Sequence, residues 1–298
     1  MTNFAGEIAA LGAAFLWSLS AVVYAHLGQK IPPMVLNLSK GVIAILLIAL
    51  TLIVQGNYLP AHLNIFALGF LLVSGVLGIG FGDTFYFEAL NNLGARRTLL
   101  LQALAPPLSA LIALIFLQES LIITAWAGIF VTVLGVSWVV SERVPGSDSK
   151  AINPLRGVSF ALLSVLGQAS GSVLSRAALA GTEINPLWSA LLRLIGGVLV
   201  LLLWMPIQHS PSLWLQPLKS KKTLGIVAIT ALFSTYLGIW LQQTAFKYTA
   251  TGIAQALLAT SPLFVLPIAI WMGDKVSFRA LLGVLVALGG IGLLFAWR

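Results

Sequence analysis

A few charged side chains stand in stretches of sequence that offer them no obvious water. Asp83 and Glu88 lie within Gly82-Asp83-Thr84-Phe85-Tyr86-Phe87-Glu88-Ala89-Leu90, Lys40 follows Pro33 by seven residues, and Arg193 follows Pro186 by seven. A charge inside an apolar span is expensive, and by default it faces a bundle interior or a wet path where an ion, a proton or a polar solute is handled. Asp83 is the deepest, about 10 Å from the end of its apolar run at 1.5 Å per helical residue. Lys40 reaches a similar depth from the same side, so a pair between Lys40 and either Asp83 or Glu88 is expected. The alternative for Lys40 and Glu88 is that they snorkel to the interface. The carboxylates could also load and release a proton, which makes protons a candidate coupling ion.

Aromatic and amide side chains add to this set. Trp17, Tyr24, Tyr86, Tyr236 and Trp240 fall near the middle or inner ends of apolar runs, as do Gln102, Gln168, Gln242, Gln243 and Gln255. Aromatics can line a cavity for a solute, and amides can hydrogen-bond it. Anchoring at the interface and bonding between helices are the plainer roles for both. The residues selected as a solute-binding set are Trp17, Lys40, Asp83, Tyr86, Glu88, Gln168, Arg193, Trp240 and Gln243. Enzyme chemistry has no footing: His26, His62 and His209 lie near loops without metal-ligand spacing, cysteine is absent, and no G-x-S-x-G or P-loop occurs. No cofactor or metal is expected.

These residues are positioned by an unusually apolar chain. Of 298 residues, 59% are hydrophobic and only 8% charged, against roughly 25% charged in soluble domains. The apolar residues fall into about ten blocks of about 20, enough to cross a core of about 30 Å. None alternates as a barrel strand does. The expected fold is an all-α membrane protein with helices near 4–27, 34–54, 65–90, 98–117, 121–141, 155–179, 187–206, 222–246, 252–272 and 277–297. The net charge of +8 comes largely from loop cations, which suit topology control and anionic lipid rather than nucleic acid. The cations concentrate on the face opposite the termini, which by the positive-inside rule would be cytoplasmic.

The ten blocks divide five and five, with residues 1–141 and 155–298 flanking a polar linker at 142–154. An odd number of crossings inverts the second unit relative to the first, and a solute site then lies between them near mid-membrane. The repeat is visible directly. An offset of 155 lays Pro107 on Pro262, Glu119 on Asp274, Gly128 on Gly283 and Gly135 on Gly290, and an offset of 153 lays Pro33 on Pro186 and Lys40 on Arg193. The units are unequal where it matters: Gly238 stands opposite Asp83, and Gln243 opposite Glu88. Two local features bear on motion. The run Ser74–Asp83, SGVLGIGFGD, reads either as a broken helix that lets a gate move or as close packing through small residues. Pro106-Pro107 and Pro262 are expected to kink their helices.

Over essentially its whole length the chain resembles the EamA-type branch of the drug/metabolite transporter superfamily. Leu16-Trp17-Ser18 is similar to that family's first-helix tryptophan signature. Pro33-x6-Lys40 and Pro186-x6-Arg193 resemble the start of the second helix of each repeat. Gly82–Leu90, followed by Gly94-Ala95-Arg96-Arg97 and Pro107…Glu119, resembles the third-to-fourth helix block, echoed by Ala245-Phe246-Lys247-Tyr248 and Pro262…Asp274. Lys40 departs from the arginine more usual there, and lysine does not offer a bidentate fork. The resemblance implies ten helices, export or exchange of small metabolites, often amino acids, and termini inside, the reverse of the orientation the loop cations suggest, so orientation stays open; a monomer or homodimer in the inner membrane is expected. A lipid-linked flippase or a non-transporting scaffold is the alternative expectation.

Overall fold

The computed structural model describes residues 4–28, 30–60, 63–141, 153–208, 219–264 and 277–295, and among these there is no strand. The helices are α1 (Ala5–Leu27), α2 (Pro33–Val54), α3 (Ile65–Leu93), α4 (Ala95–Gln102), α5 (Ala105–Phe116), α6 (Ile123–Ser141), α7 (Pro154–Leu179), α8 (Pro186–Gln208), α9 (Lys221–Tyr248), α10 (Thr251–Leu258) and α11 (Phe278–Phe295). Among the described residues, eight helical stretches are long and apolar enough to cross a membrane, Arg97–Phe116 (α4 with α5) counting as one, with a shorter apolar stretch at Ala5–Ala21. The expected helix at 252–272 is described as α10 and the residues up to 264. The rest of it, most of the linker, His62, His209 and Asp274 lie outside the described residues.

The ends follow local chemistry. Asn64, Asn153 and Ser220 cap α3, α7 and α9 by accepting backbone N–H bonds, the usual role of such residues at N-caps. Prolines open α2, α7 and α8, where the missing N–H costs nothing. Pro106 and Pro107 do not kink a continuous helix. They sit in the first turn of α5, after a break at Ala103-Leu104.

The two units interlock. The first span of each packs extensively on the third span of the other, α1 against α9 and α7 against α3. Repeat-equivalent helices run antiparallel. Gly135 meets the backbone of Ala287 and Gly290 that of Thr132, while Gly128 meets Leu294 and Gly283 meets Val139. The glycines that mark the repeat are therefore those that let α6 and α11 approach backbone to backbone, the small-residue packing open to helices in lipid. Leu46, Val54, Phe116, Leu134 and Leu203 are exposed on the outside, as a lipid-facing surface requires.

Candidate functional site

Both third spans contain a π-helical segment, Val76–Asp83 in α3 and Leu232–Leu237 in α9. The 155-residue offset lays 76–83 on 231–238, so the irregularity belongs to the repeat. A π-segment misaligns the backbone ladder, and such segments frequently mark functional sites. Side chains supply donors to its carbonyls. Gln168 Nε2 donates to Gly78 O (3.1 Å), Asn37 Nδ2 to Ile79 O (2.7 Å) and Thr84 Oγ1 to Gly80 O (2.6 Å). In α9, the Trp17 indole N–H donates to Ser234 O (2.8 Å), and Tyr24 OH lies 2.7 Å from Ser234 Oγ. The first span of each unit thus serves the π-segment of the other. Both readings of SGVLGIGFGD meet here: the helix is irregular, and its glycines are also tightly packed. A Cβ at Gly75 would overlap the Arg193 carbonyl, and one at Gly78 would lie 2.6 Å from Arg193 Nη2.

Between the units lies a cavity of about 320 Å³. Trp17, Tyr24, Lys40, Asp83, Tyr86, Gln102, Ser164, Gln168, Arg193, Ser234, Gln242 and Gln255 contribute to its wall. Lys40 Nζ lies 2.5 Å from Asp83 Oδ2, and Gln168 Nε2 donates to Asp83 Oδ1 at 2.7 Å. The same ammonium stands 5.3 Å from the Phe87 ring centroid. Of the two partners open to Lys40 in the sequence, the structure pairs it with Asp83. Arg193 is only 1% exposed and donates through Nη1 to Gln242 Oε1 at 3.0 Å. Its guanidinium lies 6.0 Å from the Phe246 ring centroid, and its Nε has no hydrogen-bond partner.

Six of the nine residues selected from the sequence therefore line one cavity: Trp17, Lys40, Asp83, Tyr86, Gln168 and Arg193. Glu88, Trp240 and Gln243 do not. Tyr86, Phe87 and Leu90 form the cavity-facing stripe of α3, and Glu88 is one residue, about 100°, past Phe87 and twice that past Tyr86. Trp240 packs beside Tyr236, with ring centroids 6.3 Å apart, in an apolar cluster of α2 and α8. Gln243 is fully buried and accepts from Ser189 Oγ at 2.8 Å, and its neighbour Gln242 takes the place on the wall. Ser20, Ser164, Ser234 and Ser261 also line the cavity. The signal that could have found them is a hydroxyl within an apolar span.

On the side where α1 begins, with Gly6 standing against Thr249, a polar network joins the two units. There Glu119 Oε1 pairs with Arg176 Nε at 2.5 Å, and Glu119 Oε2 accepts from the Thr251 N–H (3.0 Å) and hydroxyl (3.1 Å). Arg176 Nη1 also donates to the carbonyls of Phe246 and Lys247, at 2.9 and 2.8 Å. Glu119 belongs to the first unit and its partners to the second. At the other end Tyr24, Leu90 and Leu99 border the cavity, with no comparable ionic network among the described residues.

No curated protein matches the chain. One solved structure, described only as "Crystal structure of protein", superposes over 100% of this chain and 99% of its own with a TM-score of 0.78 at 17% identity; at that identity the likeness shows the fold alone. The profile of the EamA-like transporter family matches residues 4–141 and again 155–296. Its two matches coincide with the interlocked units that enclose the cavity, and the chain belongs to the EamA-like transporter family, a family of multi-pass membrane transporters.

Proposed function

We propose that the protein is a ten-span secondary transporter of the inner membrane that exports or exchanges small metabolites, amino acids among them, by alternating access of two inverted halves. One observation carries this reading. A cavity of about 320 Å³ is walled by both units and holds Lys40, Asp83 and Arg193, and toward the start of α1 the Glu119–Arg176–Thr251 network bonds the two units to each other. That volume suits a small solute. Polar bonds between units can be exchanged for water, which lets the halves part there without exposing a large apolar surface. Protons are the proposed coupling ion, with Asp83 as the carrier, because it is the carboxylate that lines the cavity. The solute-binding set is proposed as Trp17, Lys40, Asp83, Tyr86, Gln168 and Arg193. The test is uptake of a labelled amino-acid panel into proteoliposomes, with and without a pH gradient, for wild type and Asp83→Asn. Saturable, gradient-dependent uptake that fails in the variant is expected. No saturable uptake of any panel member would overturn the reading.

A further inference from the structure

We infer that the cavity contains a carboxylate subsite built on Arg193, so that the solute carries an anionic end and an apolar body; this rests on the transporter reading of the same cavity. The charged residues in the cavity wall are Lys40, Asp83 and Arg193. Lys40 and Asp83 neutralise each other at 2.5 Å. Arg193 has no carboxylate within ion-pair distance among the described residues, so one positive charge remains uncompensated. A guanidinium offers five N–H donors. Gln242 takes one through Nη1, while Nε is buried without a partner. A buried cation left in this state is costly, and an incoming anion relieves that cost.

The surroundings narrow the ligand. The guanidinium stands 6.0 Å from the Phe246 ring centroid, and Gly78 lets it lie close against α3, where a Cβ would stand only 2.6 Å from Nη2. The planar fork matches the two oxygens of a carboxylate. A phosphate dianion would leave a charge uncompensated, because Lys40 is already committed to Asp83. Gln255 also lines the cavity, its side chain bonded to no described residue, and its amide is free to give a further hydrogen bond. Ile79, Ile239 and Leu258 on the same wall fit the apolar body.

The experiment holds that body constant and varies the charge. Purified wild-type protein is titrated with 3-phenylpropanoate, 3-phenylpropanamide, 2-phenylethylamine and phenylalanine, with ligand-dependent thermal stabilisation as the readout. Uptake of the same four compounds into proteoliposomes is measured in parallel. The two carboxylates are expected to bind at least about 10-fold more tightly than the amide and the amine, the value of a charge-assisted hydrogen bond. Arg193→Lys should weaken carboxylate binding by about 10-fold, and Arg193→Gln should remove it. Equal binding of amide and carboxylate by wild type, unchanged carboxylate binding in Arg193→Gln, or no stabilisation by either carboxylate would each overturn the subsite. The wild-type comparison stands even if neither variant folds. Saturable uptake without preference for the carboxylates would remove the subsite and keep the transporter reading. Carboxylate binding lost in Arg193→Gln, with no uptake of any compound, would keep the subsite and remove the transporter reading.

Discussion

Lys40 and Arg193 hold equivalent places in the two halves, each seven residues into the second span of its unit, yet they meet different surroundings. Lys40 is paired with Asp83 and steadied by Gln168 through that carboxylate, whereas Arg193 has an amide, an aromatic face and an orphaned Nε. The difference follows from the third spans, which carry Asp83 in one unit and Gly238 at its counterpart in the other. A duplicated scaffold has kept both buried cations and a carboxylate for only one. The lesson is that repeat symmetry fixes where charges stand, and its local failure decides which of them remains available to a solute.

The comparison breaks most visibly through Asp83. Asp83→Asn leaves Lys40 as a buried cation without a counter-charge and is expected to cost about 3 kcal/mol, at the lower end of such losses because the Asp83 side chain keeps 21% of its surface open. Lys40→Met combined with Asp83→Asn should recover much of that loss, whereas Arg193→Gln, which breaks no ion pair, should cost less than about 1 kcal/mol. Thermal melts of wild type, Asp83→Asn, Lys40→Met, the double variant and Arg193→Gln decide it. Strictly additive losses at positions 40 and 83, or an Arg193→Gln loss as large as that of Asp83→Asn, would erase the distinction.

A second contrast lies in how closely each third span approaches. Gly75→Ala forces a Cβ onto the Arg193 carbonyl and should destabilise by about 2 kcal/mol. At the counterpart, Thr230→Ala removes a hydroxyl that donates to the Ile226 carbonyl, for about 1 kcal/mol or less. Equal melting temperatures for the two variants would mean that the halves pack alike. Gln168→Leu, which strands an Asp83 oxygen and the Gly78 carbonyl, should cost about 1.5 kcal/mol and also weaken solute binding. Trp17→Phe, which removes one bond to Ser234 O, should cost about 1 kcal/mol with the apolar contact largely kept.

Much of this arrangement is legible in the sequence. Lys40, Asp83 and Arg193 declare themselves as charges in apolar runs, and the repeat offsets put the two cations at matching depths. What could not be read is angular. The π-segment at Leu232–Leu237 shifts the phase of every later residue in α9, and a one-residue change is about 100° of rotation; Gln242 therefore reaches the cavity where Gln243 was expected. Glu119 and Arg176 could be seen only as isolated charges near helix ends, because their pairing depends on how α7 packs against α5 rather than on any local pattern.

The claim that the halves alternate around this cavity has one direct test. The chain contains no cysteine, so Ser261→Cys provides a single reporter on the cavity wall. Its reaction with a membrane-impermeant thiol reagent is measured from each face of oriented vesicles, with and without the transported solute. The account predicts that solute changes the two rates in opposite directions, one face gaining access as the other loses it. Rates that rise or fall together, or access confined to one face under both conditions, would contradict it.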